Sequence, residues 1–195
     1  MTCALLETRV LTLIDSPMPS RSPVIVQPYD AAWPEKFEAE KILLSWVLAP
    51  WLVGPIEHVG STAVPGLPAK PIIDIMAAVA DLPSTIPAIE AVKPLKYCYF
   101  EYKPEQMHWF CKPSDLERTH HLHLIPFNGP LWHARLAFRD RLRTDAPTRH
   151  SYAALKIELA SKYRDDREAY TGAKTAFIQS VLSQGRLPDT KKPAQ

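Results

Sequence analysis

Alternation of hydrophobic and polar positions through the first two thirds of the chain predicts a series of short β-strands. Two further segments, residues 97–102 and 107–111, are rich in aromatic residues and are separated by a short polar segment containing a proline, which predicts a β-hairpin. The full set of predicted strands is residues 24–29, a run ending near His58, a run beginning near Pro71, and residues 97–102, 107–111 and 119–126.

Helical spacing of hydrophobic residues appears first over residues 34–48 and then dominates the last third of the chain. In the first helix, Phe37, Leu44 and Leu48 mark a core-facing stripe, and further apolar residues widen it, so we expect this helix to be substantially buried. The widening residues are Ile42, Leu43, Trp46 and Val47. Other helices are predicted over residues 83–92, 131–144, 147–164 and 166–184, with Pro147 at a start and Gly185 at the last stop.

These elements predict an α+β protein, in which a mixed sheet of about five strands carries flanking helices and is followed by a C-terminal three-helix segment. A hydrophobic content of 46% and a charged content of 23% are typical of soluble globular proteins. We therefore expect one domain over residues 23–185, with its sheet part extending to about 128 and its helical part over 130–185. Residues 1–22 are expected to be a flexible arm and residues 186–195 a disordered tail.

Composition also limits location and partners. No run approaches the roughly 20 apolar residues that cross a bilayer, and no basic segment leads the N-terminal apolar stretch as in a signal peptide. Three cysteines without C-x-x-C spacing favour a reducing, cytoplasmic compartment over a disulfide framework. Cys98 and Cys111 lie in predicted strands, where we expect structural thiols. We expect no membrane partner, and the sequence leaves the oligomeric state open.

Basic residues concentrate in the helical part of the chain. Residues 135–174 contain 10 basic and 6 acidic side chains, whereas the whole chain has a net charge of +2. One interpretation is a basic face that binds a polyanion, and the other is an ordinary solvated helix surface.

A Gly-Ser pair lies in the loop between two predicted strands, the run that ends near His58 and the run that begins near Pro71. Gly60 and Ser61 offer a backbone amide and a hydroxyl just after a strand, Lys70 adds a cation, and Asp74 follows Ser61 after 12 intervening residues. No Gly-x-Ser-x-Gly sequence surrounds Ser61 or Thr62, so we expect these hydroxyls to bind phosphate or substrate rather than to act as nucleophiles.

Two histidines project from the same face of the strand over residues 119–126. His121 and His123 are two residues apart, so both imidazoles can reach one ion or one phosphate. Asp74 could be a metal ligand, a general base, or a structural partner of Lys70 or a histidine. A metal site needs three or four ligands, which Asp74 and Glu57 (or His58) could complete, so a divalent metal is one possible cofactor.

The C-terminal helices carry further candidates for binding an anionic ligand. Tyr152 with Lys156, and Tyr170 with Lys174, are each four residues apart and therefore share a helix face. Such faces line an anionic cleft or form amphipathic surface. Arg139 is a candidate of the same kind, although Arg139 and Asp140 could instead form an internal ion pair.

The spacing of Gly60, Ser61 and Asp74 resembles the signature of the nucleotidyltransferase superfamily. That signature continues with a second acid two residues after the first, but this chain has Met76 there. Magnesium takes oxygen ligands, so a two-metal mechanism would need a carboxylate from elsewhere, for which Glu57 is the nearby candidate.

Over residues 24–182 the chain resembles the GrpB family of that superfamily. The motifs that carry the resemblance are residues 26–30 with Trp33, residues 56–67, 69–75, 118–123 and 138–140, Tyr152 with Leu155 and Lys156, and Tyr170 with Lys174, Phe177 and Ile178. The absent second acid is usual within this family. The resemblance implies a pocket between the sheet and the C-terminal helices, built from Gly60, Ser61, Asp74, His121, His123 and the helical cations.

The resemblance leaves three functions open. Some fungal proteins that look related to the family are cyclodipeptide synthases that use arginyl-tRNA, so one hypothesis is a transferase acting on a nucleotide- or tRNA-activated substrate. Its base would be His121, His123 or Asp74, and Asp74 could also hold a substrate guanidinium. The second hypothesis is a metal-dependent nucleotidyltransferase that modifies a small molecule or a protein. The third is a non-catalytic module that binds nucleotide or phosphate.

Overall fold

The computed structural model describes residues 23–184, in which five strands form one mixed sheet. The strands are β1 (Leu52–Val59), β2 (Ile73–Val79), β3 (Cys98–Phe100), β4 (His108–Pro113) and β5 (Arg118–Pro126). Their order across the sheet is β1-β2-β5-β4-β3. The β2–β5 pair is parallel and the other pairs are antiparallel. The α+β prediction with a mixed sheet is confirmed.

Helices cover both faces of this sheet. They are α1 (Trp33–Val47), α2 (Ile86–Ala91), α3 (Pro130–Thr144), α4 (Ala146–Lys162), α5 (Arg167–Gly172) and α6 (Thr175–Gln184). Short 3₁₀ turns lie at Ser61–Ala63, Pro83–Thr85 and Lys93–Leu95. The α4 helix begins where the carboxylate of Asp145 accepts a hydrogen bond from the Thr148 amide, which satisfies a free N–H of the first turn.

The period-2 alternation of the strands separates two cores. On one face of the sheet, α1 packs Phe37 and Leu44 against strand residues such as Ile73, Ile75 and Leu122. On the opposite face, Met76, Trp109 and Ile125 pack with Trp132 of α3. The polar residues Asp74, His121 and His123 occupy strand positions next to Ile73, Ile75 and Leu122, so their side chains point to the opposite face, where Met76 and Trp132 pack.

The expected first strand over residues 24–29 is wrong. This segment is extended but makes a single β-bridge, in which Gln27 and Ala69 exchange two backbone hydrogen bonds of 2.9 Å. Pro28 has no N–H group, which prevents the ladder from continuing.

The helix predicted over residues 34–48 is present, but its widened apolar face is not buried. The side chains of Ile42, Leu43 and Trp46 are 59%, 45% and 81% exposed, whereas Leu44 is fully buried. A helix lying on a sheet buries only one stripe, and the spacing of Phe37, Leu44 and Leu48 marks that stripe.

The single helix predicted over residues 166–184 is two helices, α5 and α6, so the helical part contains four helices within residues 130–184. The interruption follows Gly172, which has a weak helical preference.

Residues 1–22 and 186–195, predicted as an arm and a tail, lie outside the described residues, and the domain boundaries stay a prediction. Among helices of residues 23–184, none combines the length and the apolar character that a bilayer span requires.

Candidate functional site

The strand register places the candidate residues in two rows on one face of the sheet. Asp74 of β2 lies beside Val59 of β1 on one side and beside His121 of β5 on the other. His121 in turn lies beside Cys111 of β4. The next row contains Glu57, Met76, His123 and Trp109 in the same strand order. Sheet pairing thus brings together residues that are 47 positions apart in the chain.

Asp74 and His121 form a hydrogen-bonded pair. The distance between His121 Nδ1 and Asp74 Oδ1 is 2.9 Å, and His123 Nε2 lies 3.8 Å from the same oxygen. The two imidazole rings are nearly perpendicular, with centroids 6.3 Å apart. The structure therefore brings the three predicted catalytic residues together.

The protonation states of this pair follow from burial and from the neighbouring charges. Burial alone would raise the pKa of Asp74, but the hydrogen bond with His121 and the attraction to His121 and His123 hold that pKa well below the usual value. Burial lowers the pKa of His121, although Asp74 opposes the shift, and burial with the charge of Arg135 lowers the pKa of His123 to about 3. At neutral pH the aspartate is therefore ionised and both imidazoles are neutral.

An ionised carboxylate can only accept a hydrogen bond, so Nδ1 of neutral His121 carries the proton that it donates to Asp74. Nε2 of His121 then has a free lone pair. This atom is buried and has no hydrogen-bond partner among residues 23–184. Orientation of an imidazole by a carboxylate, with the opposite nitrogen free, is the arrangement of a general base.

Gly60 allows the Asp74 carboxylate to lie where it does. Its φ of +71° belongs to the left-handed region, and a Cβ atom on Gly60 would lie 2.3 Å from Asp74 Oδ2. Only glycine fits this position, because any side chain would displace the carboxylate.

The two hydroxyls of the predicted phosphate loop have different surroundings. The Ser61 hydroxyl lowers the pKa of Tyr152, which only partly offsets the rise that burial causes in that pKa. Thr62 is 1% exposed, donates to the Ile72 carbonyl oxygen and contacts His58 Nε2 at 3.0 Å. The Thr62 hydroxyl is thus used inside the loop, and the substrate-binding role of Thr62 stays a prediction.

Two lysines flank the ring of Tyr170 close to Asp74. The Nζ atoms of Lys70 and Lys174 lie 5.1 and 4.2 Å from the ring centroid. Burial lowers the pKa of Lys70 to about 7 and that of Lys174 to about 8, while the negative charge of Asp74 raises both. Both predicted cations therefore lie on one tyrosine ring and within range of the Asp74 charge.

Lys156 is placed differently from the other two lysines. Its ammonium donates to the Pro68 carbonyl oxygen, it lies 5.0 Å from the Tyr152 ring centroid, and it is 1% exposed. Lys156 therefore supports the loop that leads to Lys70, and its substrate-binding role stays a prediction.

Arg139 and Glu57 do not join the Asp74 group. Arg139 donates to Glu57 at 2.6 Å, to Asp140 at 2.7 Å and to the His58 carbonyl oxygen at 3.1 Å. This is the internal ion pair expected as the alternative for Arg139, and its role in substrate binding stays a prediction. Among residues 23–184, Asp74, His121 and His123 form a group of potential metal ligands whose ligand atoms lie within 4.8 Å of one another. Glu57 is not part of this group.

Three arginines near the site were not predicted from the sequence. Arg135 of α3 lies 3.5 Å from Met107 Sδ, and its charge lowers the pKa of His123. Arg118 and Arg167 approach from β5 and α5, and their charges lower the pKa of Lys70. The sequence contained an indication for two of them. Arg135 precedes Arg139 by four residues and therefore shares its helix face, and Arg118 is the first residue of the strand that carries His121.

A metal ion can be tested against these residues. One carboxylate oxygen and two imidazole nitrogens suit zinc or a similar transition metal and do not suit magnesium, which takes oxygen ligands. The positive charges of Lys70, Lys174 and Arg135 interact with Asp74 and oppose the binding of a cation there. The arrangement therefore favours an anionic ligand over a pair of magnesium ions.

Comparison with known proteins gives consistent matches over most of the chain. The family described as GrpB protein matches residues 23–184. The UPF0157 protein PA4798 of Pseudomonas aeruginosa is 39% identical over 172 residues, which cover 86% of this chain and 69% of that protein. The glutamate-rich protein GrpB of Alkalihalophilus pseudofirmus is 32% identical over 171 residues, which cover 85% and 97%.

A solved structure shows the same fold. The crystal structure of the conserved protein GrpB from Enterococcus faecalis has 33% sequence identity and a TM-score of 0.75, covering 82% of this chain and 96% of that one.

Proposed function

The chain belongs to the GrpB family, and on the geometry of its site we propose that it is a transferase acting on a nucleotide- or tRNA-activated substrate, with His121 as general base. The observation that carries the proposal is the buried Nε2 of His121, which has no hydrogen-bond partner in the described part of the chain, while the opposite nitrogen binds the ionised Asp74. A base with one free nitrogen can remove a proton from an attacking amine or hydroxyl as the new bond forms.

The surrounding cations supply the second requirement of such a transfer. Lys70 and Lys174 would attract the phosphate of the activating group. Gly60 and Ser61 directly follow β1, and Gly60 lies against the Asp74 carboxylate. Cations in a buried site stabilise charge that develops on a leaving oxygen more strongly than they would in water. A nucleotide or an aminoacyl-tRNA is the proposed partner.

The sharpest version is formation of an arginine-containing cyclodipeptide from aminoacyl-tRNA. The α-amino nitrogen of one aminoacyl group attacks the ester carbonyl of another, His121 Nε2 takes a proton from that nitrogen, and the tRNA hydroxyl leaves with a proton. A second attack of the same kind closes the ring. An aminoacyl ester is already activated, which suits a site with Met76 in place of the second acid.

Mass spectrometry of small molecules from cells that express the chain tests the proposal. We expect a product that is present with the wild-type chain and missing with Asp74→Asn at equal protein levels. With purified protein, release of free tRNA from aminoacyl-tRNA should depend on Asp74 and should not need added magnesium. Identical metabolite profiles together with no tRNA release would contradict the proposal.

A second candidate is a metal-dependent nucleotidyltransferase that modifies a small molecule or a protein. It is favoured by the Asp74, His121 and His123 ligand atoms, which lie within 4.8 Å of one another. In that case a metal would polarise the phosphate of the substrate, and these three residues would hold it. Pyrophosphate release from nucleoside triphosphates, restored by adding a divalent metal after chelation, would favour this candidate over the first.

The non-catalytic alternative, a module that binds nucleotide or phosphate, makes a different prediction. Asp74→Ala and His123→Ala would then leave the function in a host cell unchanged. We also propose a cytoplasmic location, which fractionation of the native host tests.

A further inference from the structure

Two cysteines of the sheet lie directly opposite each other. Cys98 of β3 pairs with Cys111 of β4 in the antiparallel register, and both are free thiols. Residues opposite each other in an antiparallel pair have their side chains on the same face of the sheet. Both cysteines belong to the second core, in which Cys98 packs against the buried cluster that contains Cys111. The two thiols are therefore neighbours across the β3–β4 pair.

The backbone geometry of this pair fits a disulfide. The Cα atoms of directly opposed residues lie about 4.5 or 5.5 Å apart, depending on whether the two residues exchange hydrogen bonds. A disulfide joins Cα atoms that are about 4.4–6.8 Å apart. Both kinds of pair lie inside that range, so Cys98 and Cys111 can be joined without movement of the strands. The Cys98 thiol contacts the Pro113 carbonyl oxygen at 3.6 Å, and a thiol is a weak donor, so its rotation toward Cys111 costs little.

The two thiols differ in their exposure. Cys98 is half-buried on β3, which is an edge strand, whereas Cys111 is fully buried. Burial also raises the pKa of Cys111 to about 11, so this thiol is protonated at neutral pH. An oxidant from solution therefore meets Cys98 first, and Cys111 is placed to react with the product. An accessible cysteine beside a second cysteine that resolves its oxidised form is the arrangement of a redox-sensitive pair.

The pair lies in the same row of the sheet as the candidate site. The register continues from Cys111 to His121 of β5 and from His121 to Asp74 of β2. Trp109, two positions before Cys111 on the same face, has its ring centroid 5.1 Å from that of His121. A covalent change at Cys111 therefore takes place beside the residues of the site.

We propose that Cys98 and Cys111 form a redox-sensitive modification site, in which a hydroperoxide converts the two thiols into a reversible cross-strand disulfide at the end of the row that contains His121. The site does not depend on the proposed transferase activity, because the geometry of the two strands carries it. It is compatible with a reducing compartment, where disulfides are transient and redox-sensing.

The reaction with hydrogen peroxide is a two-electron oxidation. The Cys98 sulfur attacks one peroxide oxygen and the O–O bond breaks, which gives a sulfenic acid and one water. The Cys111 sulfur then attacks the Cys98 sulfur and the S–O bond breaks, so that the hydroxyl leaves as a second water with the proton of Cys111. Two thiols are oxidised to one disulfide and hydrogen peroxide is reduced to two waters. A dithiol reductant reverses the disulfide by thiol exchange.

Peptide mass spectrometry after treatment with hydrogen peroxide tests the site. The chain for this experiment carries Cys3→Ser, which leaves Cys98 and Cys111 as its cysteines. Every lysine within residues 97–118 precedes a proline, which blocks trypsin, so both cysteines remain in one peptide. We expect this peptide to lose the mass of two hydrogen atoms and to stay unlabelled by iodoacetamide after denaturation. Dithiothreitol should restore both thiols.

Single variants of the same chain separate the two sulfurs. In Cys111→Ala, the sulfenic acid of Cys98 should persist and should be captured by dimedone. In Cys98→Ala, the Cys111 thiol should be oxidised at least about tenfold more slowly, because the oxidant reaches a buried thiol poorly. Circular dichroism checks that both variants fold.

Three results would overturn the site. One is retention of both thiols by the folded Cys3→Ser chain in peroxide, a result that does not depend on the folding of the alanine variants. Another is a disulfide between two chains, seen on a non-reducing gel in place of the bond within one peptide. The third is oxidation of Cys111 in Cys98→Ala as fast as that of Cys98 in Cys111→Ala.

Discussion

Glu57 lies directly opposite Met76 across the β1–β2 pair, and its carboxylate is held at 2.6 Å by Arg139. The acid closest to the place of a second metal ligand is therefore already part of an ion pair. Met76 itself is fully buried in the second core with Trp132. The apolar side chain at position 76 is thus part of the packing between the sheet and α3.

The first prediction concerns Met76. Met76→Asp should destabilise the protein by about 3 kcal/mol or more, because it places an unpaired charge in an apolar core. Met76→Leu should cost less than about 1.5 kcal/mol, since volume and polarity are nearly kept. Urea unfolding measures both. A well-folded Met76→Asp variant that releases pyrophosphate with magnesium would show that the site accepts a second acid.

The second prediction compares two glycines with positive φ. Gly60→Ala should destabilise by about 3 kcal/mol and remove activity, because its Cβ would overlap the Asp74 carboxylate. Gly66 has a φ of +76° and open space around its Cβ position, so Gly66→Ala should cost only about 1 kcal/mol and keep activity. Thermal unfolding and product formation are the measurements, and equal effects of the two changes would contradict the role given to Gly60.

The third prediction concerns the hydrogen-bonded pair. Asp74→Asn keeps an acceptor for His121 Nδ1 but removes the negative charge that stabilises the protonated imidazole. Product formation should fall by at least about 100-fold, while the circular dichroism spectrum stays that of the folded chain. Wild-type rates in a folded Asp74→Asn protein would remove Asp74 from the site.

The fourth prediction separates two lysines. Lys174→Ala should weaken pyrophosphate binding by about tenfold and make it less sensitive to salt, because an ammonium beside the ligand is lost. Lys156→Ala should instead lower the free energy of unfolding by about 1–3 kcal/mol, because the Pro68 carbonyl oxygen loses its donor. Lys162→Ala is the matched control, since exposed Lys162 lies 5.2 Å from the Tyr163 ring. The opposite pattern would reverse the two roles.

The fifth prediction is a pH dependence of anion binding. Burial and the charges of Lys174, Arg167 and Arg118 lower the pKa of Lys70 to about 7, against the opposing effect of Asp74. A lowered pKa means that the positive charge is complete below pH 7 and is lost as pH rises through that value. Sulfate, whose charge is constant between pH 6 and 9, should therefore bind most tightly at pH 6.

A variant isolates the contribution of that lysine. Lys70→Arg keeps its charge over the whole range because arginine has a pKa above about 12, so its affinity for sulfate should change less with pH. Calorimetry at pH 6, 7.5 and 9 measures both proteins. Parallel profiles would assign the pH dependence to other groups.

Much of the site could be predicted from short-range pattern. The two-residue period of a strand puts His121 and His123 on one face, and the Gly60-Ser61 pair with Asp74 marks a loop between two strands. These inferences need only neighbouring residues, because backbone geometry fixes side-chain direction over a few positions. The same reasoning failed for Trp46, because the width of a buried helix stripe depends on what packs against it.

Local periodicity and turn chemistry are sufficient to predict the α+β class, the strand that carries both histidines, and the glycine-serine loop before Asp74. The folded chain was needed to show that His121 is the partner of Asp74 and that Arg139 and Lys156 bond to groups inside the fold. It was also needed to show that the charges of Arg118, Arg135 and Arg167 act on Lys70 or His123. These contacts join distant segments through the parallel β2–β5 pairing and the docking of the C-terminal helices, and no local pattern specifies them.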